Sequence, residues 1–438
     1  MCGPLITRLD FDWLQGRFWM GLFQFLRSLF FGKPSGWRPA RTRKPRPSRP
    51  KPRLVPLRRQ PVSASEHSAA KSSSDLPYRF ANYGWRYGEF LDLSQDGDAA
   101  RLAHFGLPVL HTPEVLADWL DLPVGKVAWL IHKTSDSNRP HDERKSHYYY
   151  RWLKKRSGGV RLIEAPKPIL KAAQHQILRE ILAKIPTHPS ANGFVSGKSI
   201  VSNAQPHVGN RVVVKLDLEN FYPAVRFNRV IAIFRSVGYC REAAIWLARL
   251  TTSALPWKMT LPRAESDEIA PYFPRHLPQG APTSPALANL SAYSLDVRLS
   301  GMARSFGAHY TRYADDLTFS GPERFLRSLA VFIPLIHKIV RAERFRANHR
   351  KRRVIRSNQR QTVTGVVVNE RTNISREQFD RIKAILTNCA RLGPATQNRD
   401  AHDDFAAHLR GQIAHVAHLN PARGEKLLDV YRRIHWSR

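Results

Sequence analysis

The chain has 438 residues, 42% of them hydrophobic, which fits a globular protein with an ample core and two to three domains or sub-domains. Its formal net charge of +35 excludes an ordinary soluble enzyme and calls for a polyanionic partner, nucleic acid first and an anionic membrane second. Cys2, Cys240 and Cys389 lie far apart without metal-ligand spacing, so they exclude a disulfide framework and point to a reducing cytoplasm.

Residues 1–32 form an N-terminal segment whose aromatic and leucine-rich part, 11–31, is interrupted by Arg17 and Arg27. It is too broken for a membrane span and lacks the cleavage site of a secretory signal. An amphipathic helix on a partner or membrane is one reading, and packing onto the protein body is the other. Residues 33–61 carry eleven Lys or Arg and no acid, interleaved with prolines. Proline blocks helix and sheet and like charges repel, so 33–90 reads as a basic, disordered linker or phosphate tether.

The folded body begins with a helix near 112–120, with Thr112 as its cap and Pro113 at its first position. Residues 147–166 read as a hairpin turning at Ser157-Gly158-Gly159. It carries Lys154, Lys155, Arg156 and Arg161 on one projection, either to hold a phosphate chain or as a solvated face. A helix is expected over 167–184. Gly197-Lys198-Ser199 has the wrong glycine spacing for a Walker-type phosphate loop. Asn203-Ala204-Gln205-Pro206-His207 follows.

The run Val212–Leu216 is apolar and β-branched enough for a central strand, and Asp217 ends it. Alone, that Asp could cap the next helix. Gln279-Gly280 sits in a turn-rich loop that opens a small-residue helix over 286–299. Gly280 permits close approach to the backbone and Gln279 offers a donor and an acceptor. Gly307–Ser320 reads as a strand, a tight turn and a returning strand, with Tyr313-Ala314-Asp315-Asp316 at the tip. Adjacent aspartates repel there, and a divalent cation would remove that cost. Together with Asp217 they would make a three-carboxylate site for two metal ions.

A helix is expected over 325–347, a basic strand over 350–355 including Lys351, and a strand over 361–369 that contains Val363-Thr364-Gly365. Helices are expected over 375–392 and 405–436, the latter broken at Asn420-Pro421. His402, His408, His415 and His418 are spaced too irregularly for a zinc site.

Strand with terminal Asp, Gln-Gly loop, Tyr-Ala-Asp-Asp hairpin, basic strand and helical tail, in that order, resemble the reverse transcriptases over 107–436. Asn203-Ala204-Gln205-Pro206-His207 and Val363-Thr364-Gly365 match elements of the bacterial retron enzymes. The resemblance implies an α+β right-hand polymerase fold: fingers over 91–208, palm over 209–369 and a helical thumb over 370–438, behind the disordered basic extension.

It further implies Asp217, Asp315 and Asp316 as the catalytic, metal-binding triad for two Mg2+ ions, with Leu218 lending a backbone carbonyl. Tyr222 falls at the family's steric gate against ribonucleotides. Gln279 and Gly280 would border the incoming nucleotide, Arg161 and Lys154 its phosphates, and Lys351 would serve the leaving pyrophosphate. Asn203, His207, Val363, Thr364 and Gly365 are candidates for RNA recognition. The implied function is RNA-directed DNA synthesis primed from an internal guanosine 2′-hydroxyl of a non-coding RNA. The product would be branched RNA–DNA (msDNA), made from dNTPs and acting in phage defence with a separate effector, while host RNase H removes the template. A group II intron-like or diversity-generating reverse transcriptase, or a catalytically inactive RNA-binding protein, are the alternatives.

Overall fold

The computed structural model describes residues 96–132, 139–155 and 158–436. The expected N-terminal segment, the linker up to residue 90, and Arg156 lie outside the described residues. Among the described residues, no helix is long and apolar enough to cross a membrane.

Three helices, Ala99–His104, Pro113–Trp119 and Val124–Ile131, open the described part. The second starts where the Val115 N–H donates to Thr112 Oγ1 at 3.3 Å, with Pro113 in the first turn, where its missing N–H costs nothing. The hairpin follows as β1 (Tyr148–Lys154) and β2 (Val160–Pro166), antiparallel from Tyr148↔Pro166 to Lys154↔Val160. Opposed residues share a face, so Tyr149, Arg151, Leu153 and Arg161 line one side and Trp152, Lys154 and Leu162 the other. Arg161 and Lys154, expected to act together on one phosphate chain, therefore leave the hairpin on opposite faces.

The central sheet has the order β4-β5-β3-β6: β3 (Val212–Asp217) in its interior, β4 (His309–Tyr313), β5 (Asp316–Gly321) and β6 (Arg353–Arg356), every neighbour antiparallel. Alternation gives it two unlike faces. Val212, Val214, Leu216, Leu317, Phe319 and Tyr310 are buried in the main core with residues of helices Tyr293–Ser305 and Glu323–Ala342. There Phe332 stands edge-on to Phe319 at 5.2 Å and to Phe325 at 4.8 Å. Each such fully buried ring contributes about 1.5–3 kcal/mol. The other face carries Asp217, Lys215, Asp316, Thr318, Ser320 and Thr311.

The main core runs unbroken from Leu102, Leu116 and Ile177 to Val340, so the stretches expected as fingers and palm share one core. Helix Arg241–Thr251 joins them by contacting both Val124–Ile131 and Pro168–Glu180. A second core gathers the C-terminal helices Arg376–Leu392, Phe405–Leu419 and Pro421–Arg432. Ser375 Oγ accepts the Gln378 N–H at 3.2 Å to start the first of these, and Asn420 Oδ1 accepts the Arg423 N–H at 3.2 Å to restart the chain at the expected break.

Several element boundaries differ from expectation, among them the basic strand, which spans Arg353–Arg356 with Lys351 in the turn before it. The strand expected over 361–369 is a small hairpin, β7 (Thr362–Val363) and β8 (Val366–Val367). Thr364 and Gly365 both take positive φ, 47° and 84°, and reverse the chain in two residues. The β-branched run hid this turn, and only the glycine signalled it. This hairpin packs into the second core. The small-residue helix is two, Ser284–Ser291 and Tyr293–Ser305, broken at Ala292. The helix expected to reach 347 ends at Ala342, and Arg344 follows at a φ of 62°.

Candidate active site

Register brings the carboxylates together. Asp217, last in β3, lies directly opposite Asp316, first in β5, so their Cβ atoms are about 4.5–5.5 Å apart. Ala314 and Asp315 form the two-residue turn between the paired Tyr313 and Asp316. Ala314 adopts a φ of 54°, which costs a non-glycine residue about 1–2 kcal/mol. Three contacts hold the turn in that shape. Arg312 Nη1 donates to the Ala314 carbonyl at 3.1 Å, and the Leu218 N–H donates to the Asp315 carbonyl at 2.9 Å. Gly193 passes so close that a Cβ there would lie 2.7 Å from the Ala314 nitrogen.

Electrostatics mark the three acids as one group. Burial, then the charges of Asp217 and Asp316, push the Asp315 carboxyl up to about 6. Asp316 is also pushed up, chiefly by burial and with a contribution from Asp217, against the pull of Lys215 and Lys351. Lys351, in the short turn His349–Lys351 before β6, places Nζ 3.1 Å from both carboxyl oxygens of Asp217. Among the described residues no three His, Cys, Asp or Glu side chains are so placed that together they could hold a metal ion. At the sheet tip Asp217 turns both oxygens to the ammonium instead. The donor chemistry nonetheless suits a hard divalent cation: three carboxyls on register-paired and adjoining residues, two of them made reluctant to ionise by burial and by neighbouring acids.

The flanking candidates fall around this tip. The Tyr222 phenol is pushed up to about 12, by burial and then by the charge of Asp315, which puts it beside the turn. The Gln279 carbonyl accepts the Glu164 N–H at 2.9 Å. Gly280 has a φ of +129°, and a Cβ there would lie 3.1 Å from the Glu164 carbonyl oxygen and 3.4 Å from Ile163. The close approach that Gly280 permits is thus already taken by β2, which ties the hairpin to the loop. Burial lowers the Lys155 ammonium from its ordinary value, and the charges acting on it are those of Glu268, Arg161, Lys351 and Asp217, which sets it near the tip.

Residues 153–368 match the family described as "Reverse transcriptase (RNA-dependent DNA polymerase)". The "Retron Mx65 reverse transcriptase" of Myxococcus xanthus is 44% identical over 331 residues, covering 75% of this chain and 73% of that one. The chain belongs to the retron reverse transcriptases. It is an RNA-directed DNA polymerase, of a family that works with divalent metal ions on an RNA template. The "Retron Mx162 reverse transcriptase" of the same organism is 34% identical over 84% of this chain and 78% of that one. The "Retron Ec86 reverse transcriptase" of Escherichia coli is 32% identical over 76% of this chain and 92% of that one.

In this retron reverse transcriptase the two short elements expected to read RNA touch each other. Asn203 Nδ2 donates to Thr364 Oγ1 at 3.4 Å. His207 is fully buried, its ring nitrogens 2.7 Å from Ser320 Oγ and from Thr311 Oγ1, and Thr311 in turn donates to the Asn203 carbonyl at 3.3 Å. Burial holds the His207 imidazole down to about 3, so it is neutral, one nitrogen donating and the other accepting. Asn203, His207 and Val363 are thus interior residues that lock β7–β8 onto β4 and β5, which corrects the expectation that their side chains meet RNA. Gly365, at the turn, is exposed.

Sequence reading passed over Arg312 and Asp296. Both are fully buried, with Arg312 Nε and Nη2 at 2.8 and 2.6 Å from the two Asp296 oxygens. Arg312 Nη1 also donates to Asn289 Oδ1 at 2.8 Å, and the Tyr310 hydroxyl donates to Asp296 at 2.8 Å. The available signal was a charged residue in the middle of a strand that is otherwise core.

Proposed function

We propose that this enzyme joins deoxynucleotides to a chain primed by RNA at Asp217, Asp315 and Asp316, with two Mg2+ ions as cofactors. The register that sets Asp217 opposite Asp316, with the raised Asp315 carboxyl in the adjoining turn, carries this reading. Bound there, the ions would supply positive charge at the attacking and leaving oxygens of an in-line displacement. A hydroxyl oxygen attacks the α-phosphorus of a dNTP and gives up its proton to solvent, a P–O bond forms, and the bond to pyrophosphate breaks. The three carboxylates would hold the ions, and the Leu218 carbonyl would be a further oxygen ligand. Lys351, with a side chain 52% exposed, leaves Asp217 and offers its proton to the departing pyrophosphate. Arg161, with Lys155 in the place first given to Lys154, meets the triphosphate. Gln279 and Gly280 border the nucleotide.

The first hydroxyl is the 2′-OH of an internal guanosine in a cognate non-coding RNA, and the product is branched msDNA. Likeness to retron enzymes supports this part, together with a cytoplasmic setting, host RNase H trimming and a separate effector in phage defence. The test is nucleic acid from cells expressing the gene with its upstream DNA. A DNA that keeps an RNA branch after ribonuclease, and shifts on treatment with a debranching enzyme, is expected. Only linear DNA would overturn 2′-priming.

Two further outcomes are expected. Tyr222→Ala opens space beside Asp315 where a 2′-hydroxyl would clash with the ring, so ribonucleotide incorporation rises by at least about tenfold. Unchanged discrimination between dNTP and rNTP in single-nucleotide extension removes the gate role.

The second concerns pH. The folded Asp315 carboxyl, at about 6, stands above its ordinary value of 3.8. Its contribution to the stability of the metal-free protein is therefore present below about 3.8 and is lost as pH rises through about 6. Asp315→Asn should remove that part of the decline in melting temperature, and Mg2+ should oppose it in the wild type. Identical pH profiles for wild type and variant would refute the coupling.

A further inference from the structure

The hairpin carries an exposed stripe that the chemistry at the aspartates does not use. Trp129 is 47% exposed and Tyr149 is 59% exposed, although both are large aromatics. His147 links them. Its ring packs edge-on to Trp129 at 4.3 Å, and its carbonyl accepts the Lys167 N–H at 2.9 Å. Each aromatic has an ammonium against its ring: Lys126 Nζ is 4.8 Å from the centre of Trp129, and Lys167 Nζ is 5.6 Å from that of Tyr149. Burial holds the His147 imidazole down to about 4 against the hydrogen bond to the Trp129 carbonyl, and the charges of Arg275, Lys167 and Lys126 add to the lowering.

The stripe is continuous with the site. Tyr149 shares its face of the hairpin with Arg151 and Arg161, and β2 continues from Arg161 to the Ile163 and Glu164 that Gly280 packs against. From Tyr149 to the pair Leu153↔Arg161 is four residues, about 13 Å, which is room for a few nucleotides of an unpaired strand. Exposed rings interleaved with ammonium groups suit a single-stranded nucleic acid. Rings take base faces in any sequence, and cations take phosphates. A protein partner would prefer a drier patch with fewer charges at its centre.

We infer that Trp129, Tyr149, Lys126 and Lys167 form a stacking track for single-stranded RNA, the template not yet copied. This rests on the polymerase reading above, and the experiment separates the two.

The probe is a DNA primer annealed to an RNA template whose unpaired 5′ run is either a single nucleotide or about eight, within the range that such surfaces cover. The wild type is expected to bind the long form more tightly. Trp129→Ala with Tyr149→Ala should lose about five- to a hundredfold on the long form per base unstacked, while affinity and single-nucleotide extension on the short form stay unchanged. Trp129→Phe with Tyr149→Phe should restore the preference, which a fold defect would not allow. Lys126→Gln with Lys167→Gln should flatten the salt dependence on the long form only. Equal wild-type affinity for both forms, or a preference that survives in the alanine pair, overturns the track. Loss of extension on the short form in the wild type would instead overturn the polymerase reading.

Discussion

Replacing Asp315 and Asp316 together by Ala is expected to lower DNA synthesis by at least about a thousandfold, with RNA affinity retained. The size follows from what the two carboxyls do. They stand opposite and beside Asp217 at the open end of the sheet, and each resists ionisation because it is desolvated and faces other acids. An arrangement that costs free energy by itself persists where it serves a cation. Its removal should leave the metal-free protein no less stable, so loss of activity with an unchanged or raised melting temperature is the expected pair of results. RNA affinity is carried by the excess of Lys and Arg over the rest of the chain and should not fall. Equal synthesis by wild type and double variant would refute the site.

Arg312→Met is the second large effect, and it acts on the fold. Arg312 and Asp296 are both fully buried and joined by two hydrogen bonds. Truncating one partner leaves Asp296 charged in the core without its guanidinium and with the Tyr310 hydroxyl still donating to it, a cost of about 3–5 kcal/mol. The denaturant midpoint measures that loss, and a change below about 1 kcal/mol would show that the pair does not hold β4 to its helix. Adding Asp296→Leu should return part of the stability. It should not return DNA synthesis, because the Ala314 carbonyl still lacks the guanidinium that fixes the strained turn.

The site and the fold were legible to different degrees. Asp217, Asp315 and Asp316 could be picked out because strand patterns ending in acids are local features. Their register was not local: one residue of slip would have sent Asp316 to the opposite face from Asp217. The same limit explains Lys154 and Arg161. Both read as basic finger residues, yet pairing with Val160 and Leu153 sends them to opposite sides. Asn203 and His207 became candidates through the likeness of their motif, but both are buried, and Thr311 and Ser320, far away in sequence, hold both ring nitrogens of His207 while Thr364 takes one donor of Asn203.

The sequence alone pointed to the family, a polyanionic partner and the succession of strands and helices, and it singled out the three acids as candidates. The family and the role of the acids rest on the likeness of short motifs, in their order, to the reverse transcriptases; the rest depends on composition, short-range periodicity and capping residues, which act within a few positions along the chain. Tertiary structure decided which side chains share a face, that fingers and palm share one core, that Thr364-Gly365 is a turn, and that a buried Arg312–Asp296 pair holds the turn carrying Asp315. Those depend on which strand pairs with which and on what burial does to charge, and neither is written in any single stretch of residues.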